Sequence, residues 1–118
     1  MTVQLAPADN TFLAPASNSS LAYEASRVIK ASAGILFGVT VYNSAAVAQF
    51  IQLHDASALP ANGAVPLTVL TIPAASSIIY EFGAHGKAFN IGIVVCNSST
   101  GPTRTAGAAD CFFDPRFK

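Results

Sequence analysis

The sequence has very little charge. Only 10% of its 118 residues are charged, and six basic residues balance six acidic ones, whereas about 25% charged residues are usual in a soluble domain. A chain without a basic excess is a poor candidate for nucleic-acid binding, which requires a positively charged face. Its hydrophobic content of 52% excludes a polar disordered segment. The length corresponds to one domain, and the weak charge predicts a surface used for association.

Amphipathic helices and credible membrane spans are also missing. Segment 31–54 has no charged residue and is long enough to cross a bilayer as a helix. However, it contains Asn43, Gln49 and Gln52 together with many β-branched and aromatic residues, which favour strands. The next uncharged stretch, 56–80, is interrupted by three prolines. We therefore expect no transmembrane segment.

The sequence lacks the residue patterns that carry catalysis. It contains no G-x-S-x-G, G-x-G-x-x-G or P-loop motif. His54 and Asp55 are adjacent on a predicted strand, so their side chains point to opposite faces and cannot form a base and its orienting carboxylate. A metal site needs three or four converging ligands, and the acidic residues and histidines are scattered. We expect neither an enzyme nor a cofactor or metal.

Two cysteines, Cys96 and Cys111, are too few for a disulfide scaffold. We predict that they lie on neighbouring strands joined by a long loop. They are then either buried, reduced thiols that act as small hydrophobic groups, or one cross-strand disulfide formed in an oxidising environment.

The composition changes near residue 25. Residues 1–25 are mostly small and polar, with few large apolar groups and no periodicity. We predict an extended N-terminal arm over 1–25 and a β domain over 26–118. Such an arm cannot order by itself, but it could order against another surface with Phe12, Leu13 and Tyr23 as anchors. The alternative is a flexible leader.

From residue 26 onward the pattern predicts strands and turns. Apolar residues alternate over 35–42 and over 89–96, a period typical of strands. The short spacing before the strand at 47–54 predicts a hairpin, and Pro66 and Pro73 favour an edge position for the strand near them. The predicted strands are 28–29, 35–42, 47–54, 65–72, 77–82, 89–96 and 110–113, with a further short strand conceivable at 103–106.

About seven or eight short strands separated by turn signals predict an all-β fold, an antiparallel β-sandwich or a jelly-roll-like barrel. Segments 93–95 and 78–80 carry apolar residues on both faces. The second face is therefore covered either within the domain or by another subunit, and the low charge favours subunit contacts.

Carbohydrate binding is a minority interpretation. The chain has no tryptophan, and its three tyrosines, Tyr23, Tyr42 and Tyr80, are the residues that could combine stacking on a sugar with a hydrogen bond. The phenylalanines are expected in the core or in interfaces.

Turn and strand signatures occur at 26–32 (SRVIKAS), 36–39 (LFGV), 59–63 (LPANG), 92–100 (GIVVCNSST) and 110–113 (DCFF). With them, the region 26–117 resembles small β-sandwich virion proteins of tailed bacteriophages, of the capsid decoration (cement) or fibre-base type. The resemblance brings no catalytic residues and implies a structural role in the virion, after assembly in the host cytoplasm.

A decoration protein of this kind binds the junctions of capsid subunits as a homo-oligomer, here with a trimer favoured, and stabilises the phage head. The implied partner is the major capsid protein or another virion protein. The alternative is a tail-associated fibre-base or host-adsorption (glycan-binding) module, in which the loops at 60–63 and 98–107 contact a host surface.

Overall fold

Strands and connecting turns make up residues 15–118, the part of the chain that a computed structural model describes. Within this range there is no helix long and apolar enough to cross a membrane. The strands are β1 (Ala16–Ser17), β2 (Ser26–Lys30), β3 (Gly34–Asn43), β4 (Gln49–Asp55), β5 (Thr68–Ile72), β6 (Ser76–Glu81), β7 (Lys87–Phe89), β8 (Ile93–Ser98) and β9 (Cys111–Phe117).

The strands form two antiparallel sheets. Sheet A has the order β1-β9-β3-β6, and β7 pairs with the start of β3 beyond the end of β6. Sheet B has the order β2-β8-β4-β5. The predicted all-β, sandwich-like fold is therefore confirmed. β5 is an edge strand, as Pro66 and Pro73 at its flanks predicted.

The core lies between the two sheets and follows from the period-2 alternation. Side chains at alternate positions of β3, β4, β8 and β9 point inward and are fully buried. The largest fully buried side chains are Phe89 of β7, Phe113 of β9 and Leu36 of β3. The core consists of Ile29, Leu36, Val39, Val41, Ile51, Leu53, Leu70, Ile72, Phe89, Ile93, Val95, Cys111 and Phe113.

The predicted hairpin between β3 and β4 is wrong, because the two strands lie in different sheets. Both sides of β3 are already occupied, by β9 on one side and by β6 and β7 on the other. The chain therefore crosses to sheet B after Asn43. The side-chain amide of Asn43 stabilises this crossing, since it donates hydrogen bonds to the carbonyl oxygens of Val47 at 2.9 Å and Pro73 at 3.0 Å.

The single strand predicted over 89–96 is also wrong, because the chain changes sheets between β7 and β8. The Asp55 carboxylate at the end of β4 holds this crossing. It accepts hydrogen bonds from three successive backbone amides, at 3.1 Å from Asn90, 2.8 Å from Ile91 and 3.2 Å from Gly92. These bonds, above all the one from Ile91, lower the pKa of Asp55.

The two cysteines do not lie on neighbouring strands. Cys96 belongs to β8 in sheet B and Cys111 to β9 in sheet A, and both are buried free thiols. Burial raises the pKa of Cys111 to about 11, and the Asp110 carboxylate adds to this effect. The structure therefore has the reduced, buried thiols that were the first of the two alternatives.

Part of the predicted arm is ordered on the chain's own sheet. Residues 16–24 run along the free side of β9, where the amide of Ser20 donates to the carbonyl of Phe113 at 2.8 Å and the amide of Glu24 donates to that of Cys111 at 2.8 Å. The buried Ser20 hydroxyl also accepts the amide of Phe113 at 3.0 Å. The division of the chain into an arm and a domain stays a prediction.

Gly92 lies where two backbones meet closely. A Cβ at this position would collide with the backbone carbonyl oxygen of Ala56 and lie 2.8 Å from that of Lys30. Since neither carbonyl can rotate away as a side chain would, we expect Gly92→Ala to lower the free energy of unfolding by about 1–3 kcal/mol, measured by denaturant titration.

Gly101→Ala is the matched control, because its Cβ would meet only the Phe50 ring, at 3.4 Å. It should leave the free energy of unfolding nearly unchanged. Equal losses in the two variants would contradict the close approach at Gly92.

Candidate functional site

An open aromatic cleft lies on the outer face of sheet A. Tyr42 of β3 and Phe112 of β9 are direct cross-strand neighbours there. Tyr23, from the segment along β9, packs beside Tyr42 with ring centroids 6.2 Å apart and planes inclined at 33°. Together with Ala22, these residues line a cavity of about 470 Å³. Because Tyr23 remains 54% exposed, the cleft is accessible from solvent.

The structure places the predicted site residues as follows. Tyr23 stands at the rim of the cleft, while Phe12 and Leu13 lie outside the described residues. Of the other tyrosines considered for sugar stacking, Tyr42 joins Tyr23, but Tyr80 lies on β6 and packs against the Phe82 ring with centroids 5.4 Å apart.

Phe112 was not singled out from the sequence, although strand alternation contains the signal. Its neighbours Cys111 and Phe113 are core residues, so Phe112 must point to the opposite face of β9. The cleft that it completes offers three aromatic rings and two phenol hydroxyl groups. None of its four lining residues is a nucleophile paired with a base, so the arrangement suits the packing of an apolar side chain or a sugar face.

The outer face of sheet B is closed by a second feature, which we call the loop ledge: residues 59–64 and 99–106. The amide of Gly63 donates to the carbonyl of Arg104 at 2.7 Å, and the amide of Arg104 donates to the carbonyl of Ala64 at 2.8 Å. The two loops proposed to contact a host surface are therefore brought together.

The conceivable short strand at 103–106 is reduced to an isolated bridge between Ser98 and Ala106. Alongside this bridge, the amide of Ala106 donates to the Asn62 side-chain oxygen at 3.0 Å. The 103–106 segment is therefore held by contacts with both neighbouring segments.

Arg104 is the central side chain of the loop ledge. It is buried, and its Nη1 donates hydrogen bonds to the carbonyl oxygen of Pro60 at 2.8 Å and to Asn62 Oδ1 at 3.1 Å. Its Nε has no hydrogen-bond partner within residues 15–118. A buried cation held by uncharged oxygen atoms depends on these bonds, because leaving them unmade is costly.

Gln52 holds the other half of the loop ledge from below. Its side-chain amide donates to the carbonyl oxygens of Thr100 at 2.9 Å, Gly101 at 2.9 Å and Thr103 at 3.0 Å. Its Oε1 lies 3.0 Å from His54 Nε2 and can only accept, so that nitrogen carries the proton.

A buried thiol, Cys96, and a buried imidazole, His54, lie under the loop ledge. Burial raises the pKa of Cys96 despite the nearby Arg104, so the reactive thiolate is disfavoured. Burial also lowers the pKa of His54, and the positive charge of Arg104 adds to this. Both groups are closed off from solvent.

Sequence reasoning missed the role of Arg104. The sequence does set it apart, because Arg104 is the sole charged residue between Lys87 and Asp110. Among the described residues, no group of three or more His, Cys, Asp or Glu side chains could hold a metal ion.

Replacing Arg104 by Met should loosen the loop ledge. The change leaves the Pro60 carbonyl without its side-chain donor and removes one of the two donors to Asn62 Oδ1. We therefore expect the free energy of unfolding to fall by about 1–3 kcal/mol and the amides of Gly63 and Ala106 to exchange faster. Denaturant titration and hydrogen exchange measure the two effects.

Arg116→Met is the matched control, since Arg116 pairs with Glu81 at 2.5 Å in an exposed ion pair and its loss should cost less than about 1 kcal/mol. A smaller effect at Arg104 than at Arg116 would show that the loop ledge does not depend on the buried guanidinium.

Stability should fall on mild acidification. In the unfolded chain His54 titrates near pH 6.5, whereas its pKa in the fold is lower. Below pH 6.5 the unfolded chain therefore binds more protons, and the free energy of unfolding decreases until the folded pKa is reached. We expect His54→Gln to flatten this decrease.

His85→Gln, in an exposed turn, should retain the full decrease. Urea titrations between pH 7.5 and pH 5 compare the three proteins. If both variants keep the slope of the parent protein, His54 is not its source.

Comparison with protein-family models, with curated proteins and with solved structures finds no match to this chain. The candidate site therefore rests on its own geometry.

Proposed function

We propose that the chain is a structural protein of a bacteriophage virion, a capsid decoration (cement) protein that binds and stabilises the phage head as a homo-oligomer. The observation that carries this proposal is the exposed apolar surface of sheet A. The resemblance of segments 26–117 to such virion proteins gives the proposal its biological setting.

The outer face of sheet A carries exposed apolar groups at both of its edges. Leu21 is 96% exposed at the β9 side, and Ile79 is 64% exposed on β6, with the aromatic cleft between them. Ile79 is in register with Thr40 and Asp114, so polar side chains separate it from the cleft. Single exposed apolar residues are common, and it is the aromatic cleft beside Leu21 that indicates a contact surface. The chain has few charged residues with which to solubilise such a face.

The two sheets differ in a way that supports this choice of surface. The centre of the outer face of sheet B is covered within the domain, since Gln52, Val94 and Cys96 are fully buried there. Val28 and Val69, at the two edges of this face, are each 38% exposed. Sheet A has no such cover within residues 15–118. The sequence left two alternatives for strands with two apolar faces, which were cover within the domain and cover by another subunit. The second face of 93–95 is covered within the domain. For 78–80 we propose that a partner covers it.

The segment along β9 brings residue 15 to the same sheet. We propose that Phe12 and Leu13, which precede it, anchor the chain on the major capsid protein and that Tyr23 contributes from the rim of the cleft. Apolar anchors of this kind supply most of the energy of a protein interface.

A tail-associated host-adsorption module is the second candidate, and the aromatic cleft is the observation that favours it. Tyr23 and Tyr42 present two rings and two hydroxyl groups around one cavity, which suits a sugar face. The loop ledge would then flank the host contact.

The double variant Phe12→Ala/Leu13→Ala of the full chain tests the first candidate. We expect the thermal midpoint to stay unchanged and the affinity for purified capsids to fall at least about tenfold, because two apolar anchors are lost. Binding is measured by co-sedimentation with capsids that lack the protein.

Val47→Ala is the control, because Val47 is 65% exposed in a crossing loop and is not a proposed anchor. Unchanged capsid affinity of the double variant would refute the anchoring role. Binding of the parent protein to glycans but not to capsids would favour the second candidate.

A further inference from the structure

The sheet edges of this protein are protected to different extents. On sheet A, residues 16–24 cover β9. On sheet B, β2 carries Arg27 and Lys30 and contains a bulge, and β5 has a proline before and after it. Charges, bulges and prolines are the devices that prevent edge strands from pairing with other chains.

β6 has no bulge and no proline, and its one charged residue, Glu81, is the last of the strand. Its six residues pair with β3 without any irregularity, and within residues 15–118 no other strand pairs with it. Residues 76–80 (SSIIY) contain neither charge nor proline, and the exposed Ile79 projects from the outer face. An open and regular edge with no charge in its first five residues is a template for another strand.

The hydrogen bonds between β3 and β6 show which backbone groups of β6 have no partner strand within residues 15–118. The amide of Phe82 donates to the carbonyl of Phe37 at 2.9 Å, in the same register as the β3–β6 pairs. Because antiparallel strands alternate between inward-bonded and outward-facing residues, the amide and carbonyl groups of Ser77, Ile79 and Glu81 face away from β3. These groups identify the missing partner as an extended strand.

We propose that β6 pairs antiparallel with β6 of a second copy of this chain, around a two-fold axis at Ile79. In this register Ile79 lies opposite Ile79 of the second copy, and Ser77 lies opposite Glu81. All the outward-facing amide and carbonyl groups of these residues then find partners. Like charges do not face each other, so the strand is complementary to itself.

The pairing also accounts for the exposed side chains. The two Ile79 side chains meet on the outer face, where each covers the other. Glu81 is already bound to Arg116 of its own chain, so the carboxylate enters the contact with its charge balanced. Two five-stranded sheets become one continuous sheet that presents both aromatic clefts on the same side.

This inference deepens the proposed function and rests on its homo-oligomeric part. It assigns that assembly to one strand and to two-fold symmetry, in place of the trimer favoured from the sequence. It is tested on the purified full chain without capsids, so that its failure is distinct from a failure of capsid binding.

Disulfide trapping with Ile79→Cys tests the register directly. In a hydrogen-bonded antiparallel pair the Cα atoms lie about 5.5 Å apart, within the range of about 4.4–6.8 Å that a disulfide spans. We expect mild oxidation to convert most of this variant to a covalent dimer. Leu21→Cys, at a more exposed position on the opposite edge of sheet A, should not cross-link above background.

Ile79→Lys provides the second measurement, because it places two like charges opposite each other. Light scattering over a concentration series should show a dimer of the parent protein whose dissociation constant rises at least about tenfold in the variant. Val47→Lys should dimerise like the parent, and circular dichroism verifies that each variant is folded.

Three results would overturn the proposal: a monomeric parent protein, a trimeric one, or a dimer that persists in Ile79→Lys while Ile79→Cys fails to cross-link. A trimeric parent protein, or a dimer that persists in Ile79→Lys while Ile79→Cys fails to cross-link, would still agree with a homo-oligomeric function. Either result would reject only β6 as the contact. A β6 dimer that does not bind capsids would instead reject the virion function and keep the pairing.

Discussion

The structure depends on burying one apolar face of each sheet against the other. Every strand that contributes to this core must reach the correct sheet, so the polar backbone of the crossing segments has to be satisfied at the core boundary. Asn43 does this at the crossing into β4, and Asp55 does it at the crossing into β8. Two short polar side chains thus stabilise two of the six crossings between the sheets within residues 15–118, those from β3 to β4 and from β7 to β8.

Local sequence features therefore predicted strands, whereas contacts between distant residues decide which sheet each strand joins. Alternation over 35–42 and the prolines around β5 are local features, and they correctly predicted a strand and an edge. The sheet to which each strand belongs is not local. Asp55 meets the amide of Ile91 36 positions later, and no periodicity encodes that contact. The same applies to Arg104, whose partner Pro60 is 44 positions away. Phe112 was accessible from alternation, because both its neighbours are core residues.

The scarcity of charge has two separate structural causes. On sheet B, residues that would ordinarily be solvated lie beneath the loop ledge, where a buried polar network replaces water. On sheet A, the outer face carries the open aromatic cleft and the exposed Ile79, and its edge strand β6 has one charged residue, Glu81. The proposed decoration role and the self-pairing of β6 both place the partner there.

Two side chains hold the loop ledge mainly by binding main-chain carbonyl groups. Gln52 binds three carbonyl oxygens and Arg104 binds a fourth, and every amino acid supplies a carbonyl group. Thr100 is the exception among the outward side chains, because its hydroxyl donates to the carbonyl of Thr103 at 2.6 Å. A position such as Ser99 can therefore change its side chain while the loop keeps its shape, so that the ledge could vary in surface chemistry on a constant backbone.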